Sequence, residues 1–201
     1  MKRLLVLMTI LTLSLSLTAC GEDKDSAAPV TETASSVSGA DSSASVADTS
    51  ELDELIAVTG NGLSFGLPID IKYVKTDESN GGMIFSNDER TAVVTVGAKT
   101  EENITSADIT DDVLLQVISG AGALKGAVLE NSGTVEQFGG TAVVGFGKVT
   151  MPNETVMKTA LQYFFPSDGG CYVISYHYAV DVETSLDANI ERVMATVKIA
   201  E

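Results

Sequence analysis

The stretch from Thr134 to Tyr178 constrains the fold more than any other, because it spells out four consecutive strands with turn residues between them. TVEQF runs into Gly139-Gly140, a two-residue connection that suits the right-handed twist of a hairpin, and TAVVGFGKV then runs on to Met151-Pro152-Asn153. The third run, Val156 to Phe165, closes on Pro166-Ser167-Asp168-Gly169-Gly170. The fourth, CYVISYHYAV, is the richest in aromatic and β-branched residues. Connections this short join antiparallel neighbours, since a parallel pair needs a crossover of about a dozen residues or more.

The remaining elements fit around this series. Leu63 to Leu67 alternates into Pro68, a strand with a proline stop, and Met83 to Ser86 with Thr91 to Ala98 makes a hairpin around Asn87-Asp88-Glu89-Arg90. Leu52, Leu55 and Ile56 stand at helical spacing, which predicts a short lead-in helix over Glu51 to Val58 or the last turn of a linker. Thr110 is an N-cap with Asp111 and Asp112 at the positive end of a helix dipole. Val113, Leu114, Val117, Ile118 and Ala121 fall on one face of that helix, and Lys125-Gly126 supplies its stop. Near the C-terminus, Thr184 and Asp187 form an approximate capping box, with Leu186, Ile190, Val193, Met194 and Val197 on one face. Gly145 and Gly147 share a face by period-two counting and leave room for a helix or loop to approach the sheet. The expected class is α+β, a largely antiparallel sheet flanked by helices.

Only the chain from Glu51 onward has a globular composition. Met1-Lys2-Arg3 followed by the apolar run Leu4 to Leu17 has the parts of a secretory signal, and the run is shorter than the roughly 20 apolar residues of a membrane span. Leu17-Thr18-Ala19-Cys20 resembles the bacterial lipobox. The resemblance implies cleavage before Cys20, lipidation of its sulfur, and attachment to the extracytoplasmic face of a bacterial membrane. Two or more acyl chains hold a protein stably on a bilayer. Gly21 to Ser50 is Ser, Thr, Ala, Asp and Glu with almost nothing large and apolar, so it is expected to be a disordered spacer with a reach on the order of 30 Å. The expected division is therefore 1–19 signal peptide, 20–50 lipidated cysteine and linker, and 51–201 a single globular domain.

From about Gly60 to Ile199 the sequence resembles the PsbP-like family. The similarity lies in GLSFGLPIDIKYV, FSNDERTAVVTV, the mid-chain helix, and LQYFFPSDGGCYVISYHY before a terminal helix ending in VKI. It implies an α/β/α sandwich. The tryptophan common after the first-strand proline in plant members is replaced here by Ile69-Asp70-Ile71, and the resemblance carries over the fold, not the photosystem role.

Twelve basic residues against 28 acidic ones give a net charge of −16, and loss of Lys2 and Arg3 with a signal peptide would leave −18. A polyanion repels phosphate backbones, so nucleic acid is not an expected partner. His177 is the only histidine. Cys171 lies six residues from it, about 20 Å along one strand face, too far for a hydrogen-bonded dyad. Ser175 is two residues away, with no recognisable oxyanion hole or orienting acid, and His177 is expected to be a partly buried strand residue. With Cys20 acylated, Cys171 is the sole thiol and reads as a small buried hydrophobe. Asp108, Asp111 and Asp112 lack the spacing of a calcium loop, and Asp77 to Gly82 reads as a turn before a metal loop. Neither Gly139-Gly140 nor Gly120-Ala121-Gly122 carries the Lys-Ser/Thr of a phosphate loop. Catalytic, cofactor and metal residues are thus not assigned, and Cys20 is the one modification site. The expected function is a non-catalytic binding or accessory module for a protein or small ligand. The alternative is a hydrolase built on a pair of carboxylates about 5 to 9 Å apart.

Overall fold

The computed structural model describes residues 54–77, 81–100 and 103–201. The signal segment, Cys20, the linker and Glu51 to Asp53 lie outside the described residues, as do Glu78, Ser79 and Asn80 of the Asp77 to Gly82 turn.

Among the described residues, ten strands form two sheets. A small antiparallel sheet has the order β1-β2-β10, from Leu55–Gly60, Leu63–Pro68 and Lys198–Ile199. The large sheet comprises β3 (Lys72–Thr76), β4 (Met83–Ser86), β5 (Ala92–Val96), β6 (Lys125–Gln137), β7 (Gly140–Thr150), β8 (Val156–Pro166) and β9 (Tyr172–Ala179), in the order β3-β4-β5-β9-β8-β7-β6. All its pairings are antiparallel. The expected four-strand series is therefore the meander β6 to β9, and β9 joins it to the earlier hairpin through β5.

Helix α1 (Asp111–Ile118) and helix α2 (Ser185–Ala195) cover opposite faces of the large sheet. Thr110 caps α1, its hydroxyl accepting from the Val113 amide at 3.4 Å, and Thr184 caps α2 by accepting from the Asp187 amide at 3.1 Å. The Asp187 carboxylate turns to Lys158 at 2.8 Å instead of closing the box. On the α1 face Leu114, Val117 and Ile118 meet Val143, Leu161, Tyr163 and Val173. On the α2 face Leu186, Ile190, Val193 and Met194 meet Phe164, Ile174, Tyr176 and, from the small sheet, Leu63, Phe65 and Leu67. Gly145 and Gly147 do give α1 its close seat. A Cβ on Gly147 would collide with the Val128 carbonyl oxygen and lie 3.0 Å from Ile118 Cδ1, and one on Gly145 would lie 3.0 Å from Leu114 Cδ1.

Four expectations need correction. Residues 55–60 are a strand, not a lead-in helix, because six successive pairings with β2, from Leu55 opposite Pro68 to Gly60 opposite Leu63, override a short helical spacing. Helix α1 ends at Ile118, and Ala121 lies beyond it in a turn at φ 58°, so it adds nothing to the helix face. Lys125 and Gly126 begin β6 instead of merely stopping the helix. The β6–β7 connection is Phe138-Gly139, because Gln137 already pairs with Gly140.

Candidate functional site

The residues singled out for chemistry are spread over the fold and mostly engaged locally. Cys171 is fully buried, its thiol pushed up to about 12 by desolvation, which keeps it protonated and inert. It is the small buried hydrophobe expected. His177 is buried more completely than expected, at 6 % exposure, and burial pushes its imidazole down to about 4. Its Nδ1 lies 3.1 Å from Thr159 Oγ1, while His177 Nε2 and Ser175 Oγ have no hydrogen-bond partner. Although two residues apart on one strand face, they make no dyad, and with Ser175 fully buried no substrate reaches the hydroxyl. Asp108 accepts from the Thr105 amide at 2.8 Å and hydroxyl at 2.7 Å, bonds that hold its carboxyl below the usual range. Asp111 accepts from the Ser132 hydroxyl at 2.6 Å. Among the described residues no group of three or more His, Cys, Asp or Glu side chains is placed to hold a metal ion.

The feature that sequence reasoning missed lies at the β6–β7 hairpin. Gly139 takes φ 82°, the left-handed backbone such a turn requires, and Phe138 beside it stands at the tip with 82 % of its surface exposed. Burying a phenylalanine gains about 1.5 to 3 kcal/mol relative to leaving it in water, so an aromatic ring held out on a tight turn forgoes most of that stabilisation. Behind it, a cleft of about 450 Å³ opens between the hairpin and the C-terminal half of α2, with Val135, Val144, Phe146 and Met194 among its apolar lining and Glu136 and Glu191 as its only charged residues.

The root of the hairpin is fixed. Gln137 Nε2 donates to the Met194 carbonyl at 2.6 Å, and Gln162 Nε2 donates to the same carbonyl at 3.0 Å and to Gln137 Oε1 at 2.8 Å. Tyr176 then donates its hydroxyl to Gln162 Oε1 at 2.9 Å. This buried network ties β6, β8 and β9 to the end of α2, adding two side-chain donors to a terminal carbonyl that already accepts from the Val197 amide at 3.4 Å. Burial raises the Tyr176 phenol, so it stays a donor. The one sequence signal for the site was an aromatic residue directly before a turn glycine, a pattern that does not separate an exposed Phe from a core one.

Two helices on opposite faces of an antiparallel sheet, with a terminal strand closing a smaller sheet, define the class as the PsbP-like α+β fold. The match that shows it is the solution structure of CyanoP, the cyanobacterial PsbP of Synechocystis sp. PCC 6803, with a TM-score of 0.54 at 14 % identity over 77 % of this chain and 98 % of that one. The Ran-binding protein Mog1p of Saccharomyces cerevisiae is also similar, with a TM-score of 0.48 at 8 % identity over 69 % of this chain and 82 % of that one. No protein-family model matches the chain, and no curated protein matches its sequence.

Proposed function

We propose that the protein is a non-catalytic binding or accessory module, tethered through lipidated Cys20 and a spacer over 21–50 to the extracytoplasmic face of a bacterial membrane, and that it meets its partner through the β6–β7 hairpin. The observation that carries the contact surface is Phe138, an aromatic ring 82 % exposed on a turn whose root is pinned by buried hydrogen bonds. Aromatic residues held rigidly at the surface gain contact area on binding with little loss of conformational entropy. The tether rests on LTAC and on the composition of the segment after it. In this cleft a hydrolytic reading would turn to Glu136 and Glu191, but the Glu136 carboxylate is turned to Thr141 on the other face of β6, both residues are exposed, and neither sits in the buried setting of a glycosidase acid.

Two experiments test this. A photo-crosslinking residue placed at 138 in the full chain in cells is expected to give a discrete adduct, and one at Asp88, on the turn between β4 and β5, is expected to give none. Equal labelling from both positions overturns the contact surface. Independently, Cys20→Ser is expected to abolish fatty-acid labelling, and continued labelling would remove the tether.

A further inference from the structure

The two outer strands of the large sheet are β3 and β6, and they are protected unequally. An outer strand offers a row of unpaired backbone N–H and C=O groups to any passing extended chain, and proteins guard such rows with lysines, bulges and short length. β3 has all three. It is five residues long, carries Lys72 and Lys75, and shifts register between Tyr73 and Lys75. β6 is 13 residues long, and its register shifts lie between Lys125 and Val128 and between Leu129 and Asn131. From Asn131 to Gln137 it pairs residue for residue with β7, and this seven-residue run contains neither Lys nor Pro. The unguarded run ends at Phe138, beside the cleft.

Its two faces differ in chemistry. Gln137 reaches the end of α2, so Val135 and Gly133, two and four residues earlier, share the α2 side with Val144 and Phe146 across the cleft. Val135 is 47 % exposed, and nothing lies within 4 Å of where a side chain on Gly133 would begin. Glu136 points the other way, its carboxylate accepting from the Thr141 hydroxyl at 3.2 Å.

From this placement, and resting on the reading of the hairpin as the contact surface, we infer that the Asn131 to Gln137 edge of β6 binds an extended segment of another protein by strand addition. That segment alternates apolar residues, which enter the cleft beside Val135 and Phe138, with lysine or arginine residues, which face Glu136. Strand addition supplies main-chain hydrogen bonds, while alternate side chains supply the selectivity. Charge complementarity chooses the occupant. Glu191 lines the cleft, Glu136 stands on the opposite face of the same edge, and no Lys or Arg is among the residues that line the site, on a chain of net charge −16. The chain's own residues 21–50 are acidic and nearly without large apolar side chains, and so match neither face. A second copy could offer Lys72 and Lys75 only on the short, bulged β3.

The probe is a capped nine-residue peptide of alternating Lys and Val, titrated against the full chain by fluorescence anisotropy. Binding is expected to weaken at least tenfold for the same peptide N-methylated at alternate residues, which keeps its charge but removes edge donors. It should weaken similarly for Glu136→Lys and for Phe138→Ala, and hold within twofold for Asp181→Lys at the far end of the sheet. Equal affinity of the N-methylated peptide, or equal loss with Asp181→Lys, means a diffuse electrostatic contact and overturns strand addition. So does sedimentation showing that the chain self-associates through this edge and that the peptide does not compete. Absence of peptide binding while position 138 still crosslinks in cells overturns the strand-addition mode alone, whereas loss of that crosslink removes the underlying reading as well.

Discussion

Strand β9 is buried along its whole length, yet its two faces are built on opposite terms. Toward α2 it presents Tyr172, Ile174, Tyr176 and Tyr178 to a continuous apolar core, and the most deeply placed phenol, Tyr176, has its partner in Gln162. Toward α1 it presents Val173, Ser175 and His177, following buried Cys171 just before the strand, with Thr95 of β5 opposite Ser175 and Thr159 of β8 opposite His177. Three buried polar atoms on that side, Thr95 Oγ1, Ser175 Oγ and His177 Nε2, lack hydrogen-bond partners. One face is therefore held by apolar volume, while the other spends part of its burial energy on desolvated polar groups, each costing about 1 to 3 kcal/mol when unpaired. The α2 face should dominate stability, and the α1 face should dominate its dependence on pH.

Truncation on the α2 face gives the largest expected effect. Leu186→Ala or Ile190→Ala is expected to cost about 2 to 5 kcal/mol, because both side chains are buried in the core shared with the small sheet and a cavity would remain. Urea unfolding measures this. Midpoints equal to that of the parent chain would mean that α2 does not hold the two sheets together.

The next effect belongs to the α1 face. His177 has a folded pKa of about 4, below the ordinary 6.5 of the unfolded chain, so the unfolded state binds its proton first. Above pH 6.5 the ring is neutral in both states, so it adds no pH dependence there. As pH falls from 6.5 to 4 stability is lost, on the order of 3 kcal/mol for a shift of this size, and below 4 the loss from this residue is complete. His177→Leu should flatten the stability profile within that window and leave the carboxylate-driven acid unfolding below it. A variant with an unaltered slope between pH 6.5 and 4 would show that the imidazole is hydrated.

Smaller still, Ser175→Ala should raise stability by about 1 kcal/mol, since it removes an unpaired buried hydroxyl at almost no cost in volume. A fall in the urea midpoint would instead reveal a partner for the hydroxyl and make the two faces more alike. Glu191→Ala, on the exposed side of α2, sets the floor and should stay within about 0.5 kcal/mol.

What the sequence made legible follows from where periodicity is enforced. The meander, the Thr110 and Thr184 caps and the seat made by Gly145 and Gly147 were readable because each rests on a local rule: alternation, a side-chain cap, or a missing Cβ. β3 was missed because all five of its residues are exposed, so neither face imposes an apolar alternation. β1 was misread because its identity comes from pairing with β2 and not from its own spacing. β10 is two residues long, too short for any pattern. The burial of both β9 faces was hidden as well, since polar Ser175 and His177 at alternate positions ordinarily mark a solvated side. Phe138 was counted within a strand, and only the pairing of Gln137 with Gly140 moves it onto the exposed turn.

The strand pairings also set a timetable. Ala92 lies opposite Tyr178, and Leu63 lies opposite Ile199. While the chain is being made, β2 has β1 beside it and β5 has β4, but each lacks its second neighbour until the far end of the sequence emerges. Such distant pairings slow folding, because a long loop must close before any contact rewards it. The small sheet cannot be completed until residue 199 exists. A strand pair that waits on Lys198 and Ile199 stays open while about 130 intervening residues are made, and β10 decides the moment at which the small sheet closes.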